Sequence, residues 1–221
     1  MSGQTRSFDA YAFDAYGTLF DVHAAMVAHR AALGPDAEAF SALWRVKQLE
    51  YTWTRTLMGR YADFWALTQQ ALDFCFARFP GVDRALRQPL LDAYFHLAAF
   101  DDVVPALTRL RDNGQRAVIF TNGTRAMAEA VARSAGIAGL IEGIASVEDI
   151  RRFKTVAEAY ALPHQLLGLP LGTVALVSSN RWDVAGATAA GMPAIWVNRT
   201  GQPEEYSDLA PVRVIGSLNE L

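Results

Sequence analysis

The stretch Tyr11 to Phe20, YAFDAYGTLF, carries a carboxylate at the point where a short apolar run breaks into a Gly-Thr turn. Such a run reads as a buried strand. At the end of a strand in a parallel sheet, Asp14 faces the crevice where α/β folds bind ligands, although Asp also caps turns of this kind. Other polar residues follow apolar runs in the same way: RAVIF leads into Thr121-Asn122-Gly123, TVALV into Ser178-Ser179-Asn180, and Lys154 follows the run around Ile144. Singly these are helix caps, turn residues and surface cations. In register they bring one carboxylate, one lysine, hydroxyls and amides to one crevice. Carboxylates form covalent intermediates when oriented and partly desolvated, and a neighbouring lysine keeps them ionised. Asp14 is therefore the candidate nucleophile and Lys154 its counter-ion. His23, His29, His96 and His164 are too scattered for metal-ligand spacing, and the sequence has neither a GxSxG elbow nor a Gly-rich phosphate loop.

The elements that must position these residues fall into two blocks. From Val22 to Ala98 the chain is rich in Ala, Leu, Trp, Phe and Arg and reads as helices near 22–33, 36–58, 61–79 and 82–98, separated by Gly34-Pro35, Gly59 and Pro80-Gly81. After Phe100 strands near 116–121, 143–146, 173–178 and 194–197 alternate with helices near 103–112, 124–135, 155–168 and 182–190. That alternation predicts a parallel sheet with helices on both faces. The expected fold is α/β, a Rossmann-like doubly wound core of residues 1–20 and 99–221 with a helical cap, residues 21–98, inserted after the first strand. No internal repeat or low-complexity tract interrupts it.

With 221 residues the chain exceeds the roughly 150 of a typical domain, leaving room for such an insert. An apolar content of 52%, a charged content of 19% and a net charge of −3 describe a globular protein with no global attraction for nucleic acid or membrane. An anionic ligand must be held by local cations. The single cysteine, Cys75, fits a reducing compartment and reads as a small core residue. MSGQTRSFDAYAF lacks the apolar stretch of a signal peptide, and no run approaches the roughly 18 residues of a membrane span, so the expected location is the cytoplasm.

The order and spacing of Asp14-Ala15-Tyr16-Gly17-Thr18-Leu19-Phe20, Asn122-Gly123, Lys154 and Ser178-Ser179-Asn180-Arg181-Trp182-Asp183 resemble the motifs of the haloacid dehalogenase superfamily. Within the insert, Ser41 to Tyr61 (SALWRVKQLEYTWTRTLMGRY) is similar to the cap of type II enzymes, which hydrolyse (S)-2-haloalkanoic acids. Most members of the superfamily are Mg²⁺-dependent phosphatases or phosphomutases with a second Asp two residues after the nucleophile. Here that residue is Tyr16, and Ser178 and Ser179 stand where acidic metal ligands often occur. Phosphoryl transfer needs a cation to offset its charge, and halide displacement from carbon does not. The expected activity is dehalogenation without a cofactor or metal.

The resemblance implies a role for each position. Asp14 attacks the halogen-bearing carbon, with Thr18 and Lys154 orienting it. Thr121, Lys154 and the backbone amides around Ala15, Tyr16 and Asn122 cradle the substrate carboxylate. Arg45 and Asn122 receive the halide, and Tyr16, Leu49, Phe64 and Trp182 form an apolar wall. Ser178, Asn180 and Asp183 place or activate the water that cleaves the ester, and Tyr160 completes the polar network. The expected partner is a small halogenated carboxylic acid, and the expected assembly a homodimer, with some of Trp44, Tyr51, Trp53, Phe64 and Trp65 buried against a second subunit.

Arg45 also stands out independently: its helix neighbours Ser41, Ala42, Gln48 and Leu49 include no acid, whereas Lys47 has Glu50 three residues on. Departures from the family pattern are Ala15 for the common Leu, Val46 for Gln, Thr121 for Ser, Thr155 for Pro, and the lead-in Arg151-Arg152-Phe153. The first two lie beside the expected pocket and bear on substrate range. Two alternatives stay open on sequence: a Mg²⁺-dependent phosphatase-like hydrolase of the same fold, and a non-catalytic binding protein on this scaffold.

Overall fold

The structure is a computed structural model describing residues 8–170 and 172–221; the first seven residues of the segment read as free of a signal peptide lie outside them. Six parallel strands, β1 (Ala10–Phe13), β2 (Arg116–Thr121), β3 (Gly143–Ser146), β4 (Val174–Ser178), β5 (Ala194–Val197) and β6 (Arg213–Ile215), form one sheet in the order β3-β2-β1-β4-β5-β6. All four residues of β1 and all five of β4 are buried, as strands covered on both faces must be. Strand order reverses direction at β1, with Phe13 paired to Ile119 on one side and Val177 on the other. That switch point opens the crevice at the carboxyl ends of the strands, and Asp14 is the next residue.

Between β1 and β2 lie α1 (Ala24–Val27), α2 (Arg30–Leu33), α3 (Ala37–Leu57), α4 (Phe64–Arg78) and α5 (Arg87–Ala93). The expected helix 22–33 is two short pieces, and the expected helix 82–98 shrinks to a 3-10 turn and α5. Asp63 sets the start of α4 by accepting the Ala66 amide at 2.8 Å. α3 and α4 pack through Phe40, Trp44, Gln48 and Thr52 on one side and Leu67, Thr68, Ala71, Leu72 and Cys75 on the other. Two polar side chains in this seam are satisfied: Gln48 donates to Thr68 Oγ1 at 2.9 Å and accepts from the Tyr94 hydroxyl at 2.9 Å. Trp44 Nε1 donates to the Thr68 carbonyl at 2.9 Å. Burial pushes the Cys75 thiol up to about 12, consistent with an inert core residue.

The remaining helices are α6 (Val103–Asp112), α7 (Arg125–Ser134), α8 (Leu162–Leu167) and α9 (Arg181–Ala189). In α6, Val103, Ala106, Leu107 and Leu110 are buried at helical spacing. The expected helix 155–168 instead starts as a 3-10 turn over Ala157–Ala161, with Pro163 in the first turn of α8. β6 was not expected; its Arg213-Val214-Ile215 is a half-exposed edge strand too short to show alternation. No helix among the described residues is long and apolar enough to cross a membrane.

A second polar hub ties this edge to the centre. Asp102 accepts from Arg199 Nη2 at 3.0 Å, Ser217 Oγ at 2.8 Å and the Leu218 amide at 2.8 Å, and the same Arg199 nitrogen donates to the Thr18 carbonyl at 3.2 Å. Burial pushes the Asp102 carboxyl up, but hydrogen bonds from Arg199, the Leu218 amide and Ser217 outweigh it and hold the group below the usual carboxylate range. Because the folded pKa is depressed, this stabilisation is full above the unfolded value of about 3.9 and is lost as pH falls through the folded value. Asp102→Asn is expected to cost about 3 kcal/mol at neutral pH. In urea titrations the gap between variant and wild type should narrow as pH drops below about 4; a gap independent of pH would remove the charge from the account.

Candidate active site

Asp14 follows β1 with its amide bonded to the Val177 carbonyl at 3.0 Å, which fixes the carboxylate between the ends of β2 and β4. Its two oxygens have unequal surroundings. Oδ2 accepts from Thr18 Oγ1 at 3.0 Å, Asn180 Nδ2 at 2.7 Å and, at the long limit of 3.4 Å, Ser178 Oγ. Oδ1 accepts from Lys154 Nζ at 3.2 Å. Thr18 is itself aimed, since its hydroxyl accepts the Ser179 amide at 2.9 Å.

Lys154 has no exposed side-chain surface, so its charge must be met inside the protein. The ammonium donates to Asp183 Oδ2 at 2.8 Å and the Phe120 carbonyl at 2.9 Å as well as to Asp14. Its backbone amide donates to Asn122 Oδ1 at 2.9 Å, pinning the lysine loop to the end of β2. The Lys154–Thr155 peptide is cis. Asp183, in the first turn of α9, is fully buried and accepts from Tyr160 OH at 2.9 Å on its other oxygen. Burial pushes the Asp183 carboxyl up, and the Lys154 ammonium pulls it back only in part. Burial, reinforced by Asp183, also drives the Tyr160 phenol far up, so it stays protonated and donates.

The inserted helices cover the crevice. Arg45 on α3 reaches the Tyr16 carbonyl at 3.3 Å, an oxygen that also accepts from Asn180 Nδ2 at 3.3 Å. Among the described residues no carboxylate pairs with Arg45, while Lys47 bonds Glu50 at 2.8 Å as its spacing suggests. The Tyr16 ring stacks on Phe64 with centroids 6.0 Å apart and lies 6.1 Å from Tyr94. Arg45 and Leu49 line a cavity of about 450 Å³ with Gly17, Ser179, Asn180 and Arg199.

Asp14, Thr18, Lys154, Tyr160, Ser178, Asn180 and Asp183 thus form one hydrogen-bonded cluster, with Arg45 reaching its rim. Ala15 is buried in the turn, its carbonyl accepting from Leu19 and Phe20. Thr121 Oγ1 accepts the Gly123 amide at 2.9 Å. Trp182 sits apart from the Tyr16–Phe64 wall: its ring meets Trp53 of α3 edge-on at 5.6 Å and lines a different cavity with Thr155 and Gly186. Trp44 and Phe64 are buried within this chain, and Trp65 packs on Phe95.

Sequence reading missed Arg199 and Asp102, which brace the Thr18 backbone. Asn198-Arg199 follows the apolar run AIWV of β5, so the rule applied to the other strand ends would have found it. Gly186 is a second omission. A methyl group there would lie 2.3 Å from Tyr160 OH and 2.8 Å from Thr155 Cβ. Gly186→Ala should therefore displace the Tyr160 hydroxyl and cost about 1–3 kcal/mol by overpacking. Chemical denaturation should show part of that loss recovered in Gly186→Ala/Tyr160→Phe; no recovery would mean that Tyr160 is not what the methyl group strikes.

Residues 8–191 match the haloacid dehalogenase-like hydrolase family. The chain is 42% identical over 213 residues to (S)-2-haloacid dehalogenase 1 of Pseudomonas sp. (strain CBS-3), across 96% of this chain and 94% of that protein. It superposes with a TM-score of 0.94 and 37% identity on a dehalogenase crystallised with an intermediate complex, covering 98% of this chain and 96% of the other. With L-2-haloacid dehalogenase from Xanthobacter autotrophicus carrying covalently bound chloropropionic acid the TM-score is 0.88 and the identity 32%, over 96% of both chains. A parallel sheet ending in this carboxylate–lysine cluster and kinship along nearly the whole length agree: the chain belongs to the (S)-2-haloacid dehalogenase family of haloacid dehalogenase-like hydrolases.

Proposed function

We propose that the protein hydrolyses short (S)-2-haloalkanoic acids to 2-hydroxy acids through an ester on Asp14, with inversion at the reacting carbon. The observation that carries this reading is the unequal holding of the Asp14 oxygens. Oδ2 is fixed by Thr18 and Asn180, whereas among the described residues Oδ1 meets only the Lys154 ammonium and keeps lone pairs for attack. Residues 1–20 and 99–221 form the catalytic core in this account, and 21–98 the cap that shields it.

In the first step Oδ1 forms a bond to the halogen-bearing carbon and the carbon–halogen pair leaves as halide toward Arg45 and Asn122. Thr121 and the amides near Ala15, Tyr16 and Asn122 hold the substrate carboxylate, and Tyr16, Leu49 and Phe64 line the alkyl side. Water placed by Ser178 and Asn180 then adds to the ester carbonyl. Asp183 has no exposed surface and is reached through Lys154: the ammonium hands a proton to Asp183 as it takes one from that water, and the two transfers reverse to protonate the departing alkoxide. Lys154 bridges the carboxylates of Asp14 and Asp183. A cytoplasmic homodimer completes the proposal: Val46, Trp53 and Leu57 share one exposed face of α3, and size-exclusion chromatography reads the assembly.

Single turnover in heavy-oxygen water, with enzyme in excess, is expected to leave the label in the Asp14 side chain and to release unlabelled hydroxy acid. Label in the product alone would demote Asp14 to a general base. Halide release should survive exhaustive chelation; loss with EDTA and rescue by Mg²⁺ would favour the phosphatase-like alternative. Arg45→Lys should lower turnover at least about tenfold, only ~1.4 kcal/mol of barrier, because an ammonium cannot reproduce a fixed planar donor at the leaving group. Wild-type turnover in that variant would remove Arg45 from the halide site.

A further inference from the structure

The Tyr16 hydroxyl is buried, yet among the described residues it has no hydrogen-bond partner. Every other tyrosine hydroxyl of the site is spoken for: Tyr94 donates to Gln48 and Tyr160 to Asp183. Leaving a buried phenol unsatisfied is costly, and the ring is locked by Phe64, Tyr94 and Phe20 at centroid distances of 6.0, 6.1 and 6.4 Å, so the group is held where it is. Its neighbourhood is informative. A methyl group on Gly123 would lie 2.8 Å from Tyr16 Cε2, 3.4 Å from the Tyr16 hydroxyl and 3.2 Å from Thr121 Oγ1. Glycine at 123 is therefore what lets the phenol lie down over the end of β2, beside the Thr121 hydroxyl. Thr121 Oγ1 accepts the Gly123 amide, which leaves its proton free.

We propose that the Tyr16 hydroxyl donates a hydrogen bond to the carboxylate of the bound substrate, making Tyr16 a specificity-determining residue rather than only an apolar wall. Two hydroxyls beside Gly123 match the two oxygens of a carboxylate, and among the described residues neither donates to a protein acceptor. Burial, reinforced by Tyr94, pushes the Tyr16 phenol far above its ordinary value despite the opposing pull of Arg45, so it remains a donor at any working pH. The inference deepens the dehalogenase reading and rests on it. It also gives the tyrosine two residues after the nucleophile a positive task. A phenylalanine there would stack as well and avoid the unsatisfied hydroxyl.

The test is Tyr16→Phe, with two readouts that separate this inference from the activity itself. Wild-type halide release from (S)-2-chloropropionate tests the dehalogenase reading. Binding of (S)-2-hydroxypropionate, followed by protein NMR with carbon-13 at tyrosine Cζ, tests Tyr16 whether or not turnover is seen. Expected are a ligand-induced shift of the resonance that disappears in Tyr16→Phe, about tenfold weaker binding of the hydroxy acid (~1.4 kcal/mol), and a rise in KM larger than the fall in kcat. Thermal unfolding of the free variant should occur at an unchanged or higher temperature, because an orphan polar group has been removed. A destabilised variant would show that the hydroxyl has a structural partner and overturn the proposal. So would unchanged hydroxy-acid binding, including the case where losses in turnover follow the halogen, which would move the phenol to the leaving group.

Discussion

An ammonium with no exposed surface, held between two buried carboxylates, is the constraint on which the rest of this structure depends. Taking a lysine out of water is prohibitive unless partners meet it at bonding distance, and Lys154 finds Asp14 at 3.2 Å, Asp183 at 2.8 Å and the Phe120 carbonyl at 2.9 Å, with the Phe120 ring 3.9 Å away. Those partners come from β1, β2 and α9. The sheet order, the length of the loop after β3 and the entry of α9 must all be right at once for the charge to be satisfied. One ammonium does not neutralise two carboxylates, and the surplus is spread over neutral donors: Thr18, Asn180 and Ser178 on Asp14, Tyr160 on Asp183. Breaking one member of such a cluster leaves an uncompensated buried charge, which couples folding to the integrity of the site.

The inserted helices supply what the sheet cannot, a dry roof. Tyr16, Phe64, Tyr94 and Trp44 form a continuous aromatic layer above the strand ends, with Trp44 and Tyr94 centroids 4.9 Å apart. The polar groups behind that layer are bonded to one another through Gln48 and Thr68. Such a network fixes the rotation of α3 about its own axis, and that rotation decides whether Arg45 faces the nucleophile loop or solvent. Val46, the next residue and about 100° further round the helix, is 56% exposed, so the seam that sets the rotation of α3 also decides which of the two side chains reaches the rim.

Much of this was legible in the sequence because it is local. Apolar runs of four to six residues ending in Asp14, Thr121 and Ser178 identify strand ends, and a parallel sheet brings strand ends together whatever the intervening chain does. What was illegible depends on contacts between distant residues. Arg199 and Asp102 are 97 residues apart. Trp182 reads as pocket lining, yet its ring turns to Trp53, a choice made by the seam between α3 and α9 rather than by its own segment. β6 escaped notice because an exposed edge lacks the buried run that marks the central strands, and α5 fell short because helix propensity over 82–98 does not reveal where packing stops.

The proposed displacement moves one negative charge without creating another. Asp14 begins ionised beside Lys154; when its oxygen bonds to carbon, the charge reappears on the halide beside Arg45. The enzyme therefore needs a cation at each end of the path, and the two must differ in kind. At the start the charge is permanent and the lysine is shared with Asp183, which keeps it from holding Asp14 too tightly for reaction. At the finish the charge exists only as the bond breaks, so the receiving cation must be uncommitted. Arg45 meets that requirement: its contact is a neutral backbone carbonyl at 3.3 Å, and among the described residues no carboxylate competes for its charge. A guanidinium that no carboxylate neutralises lowers the barrier where the anion develops, which is the differential stabilisation catalysis requires.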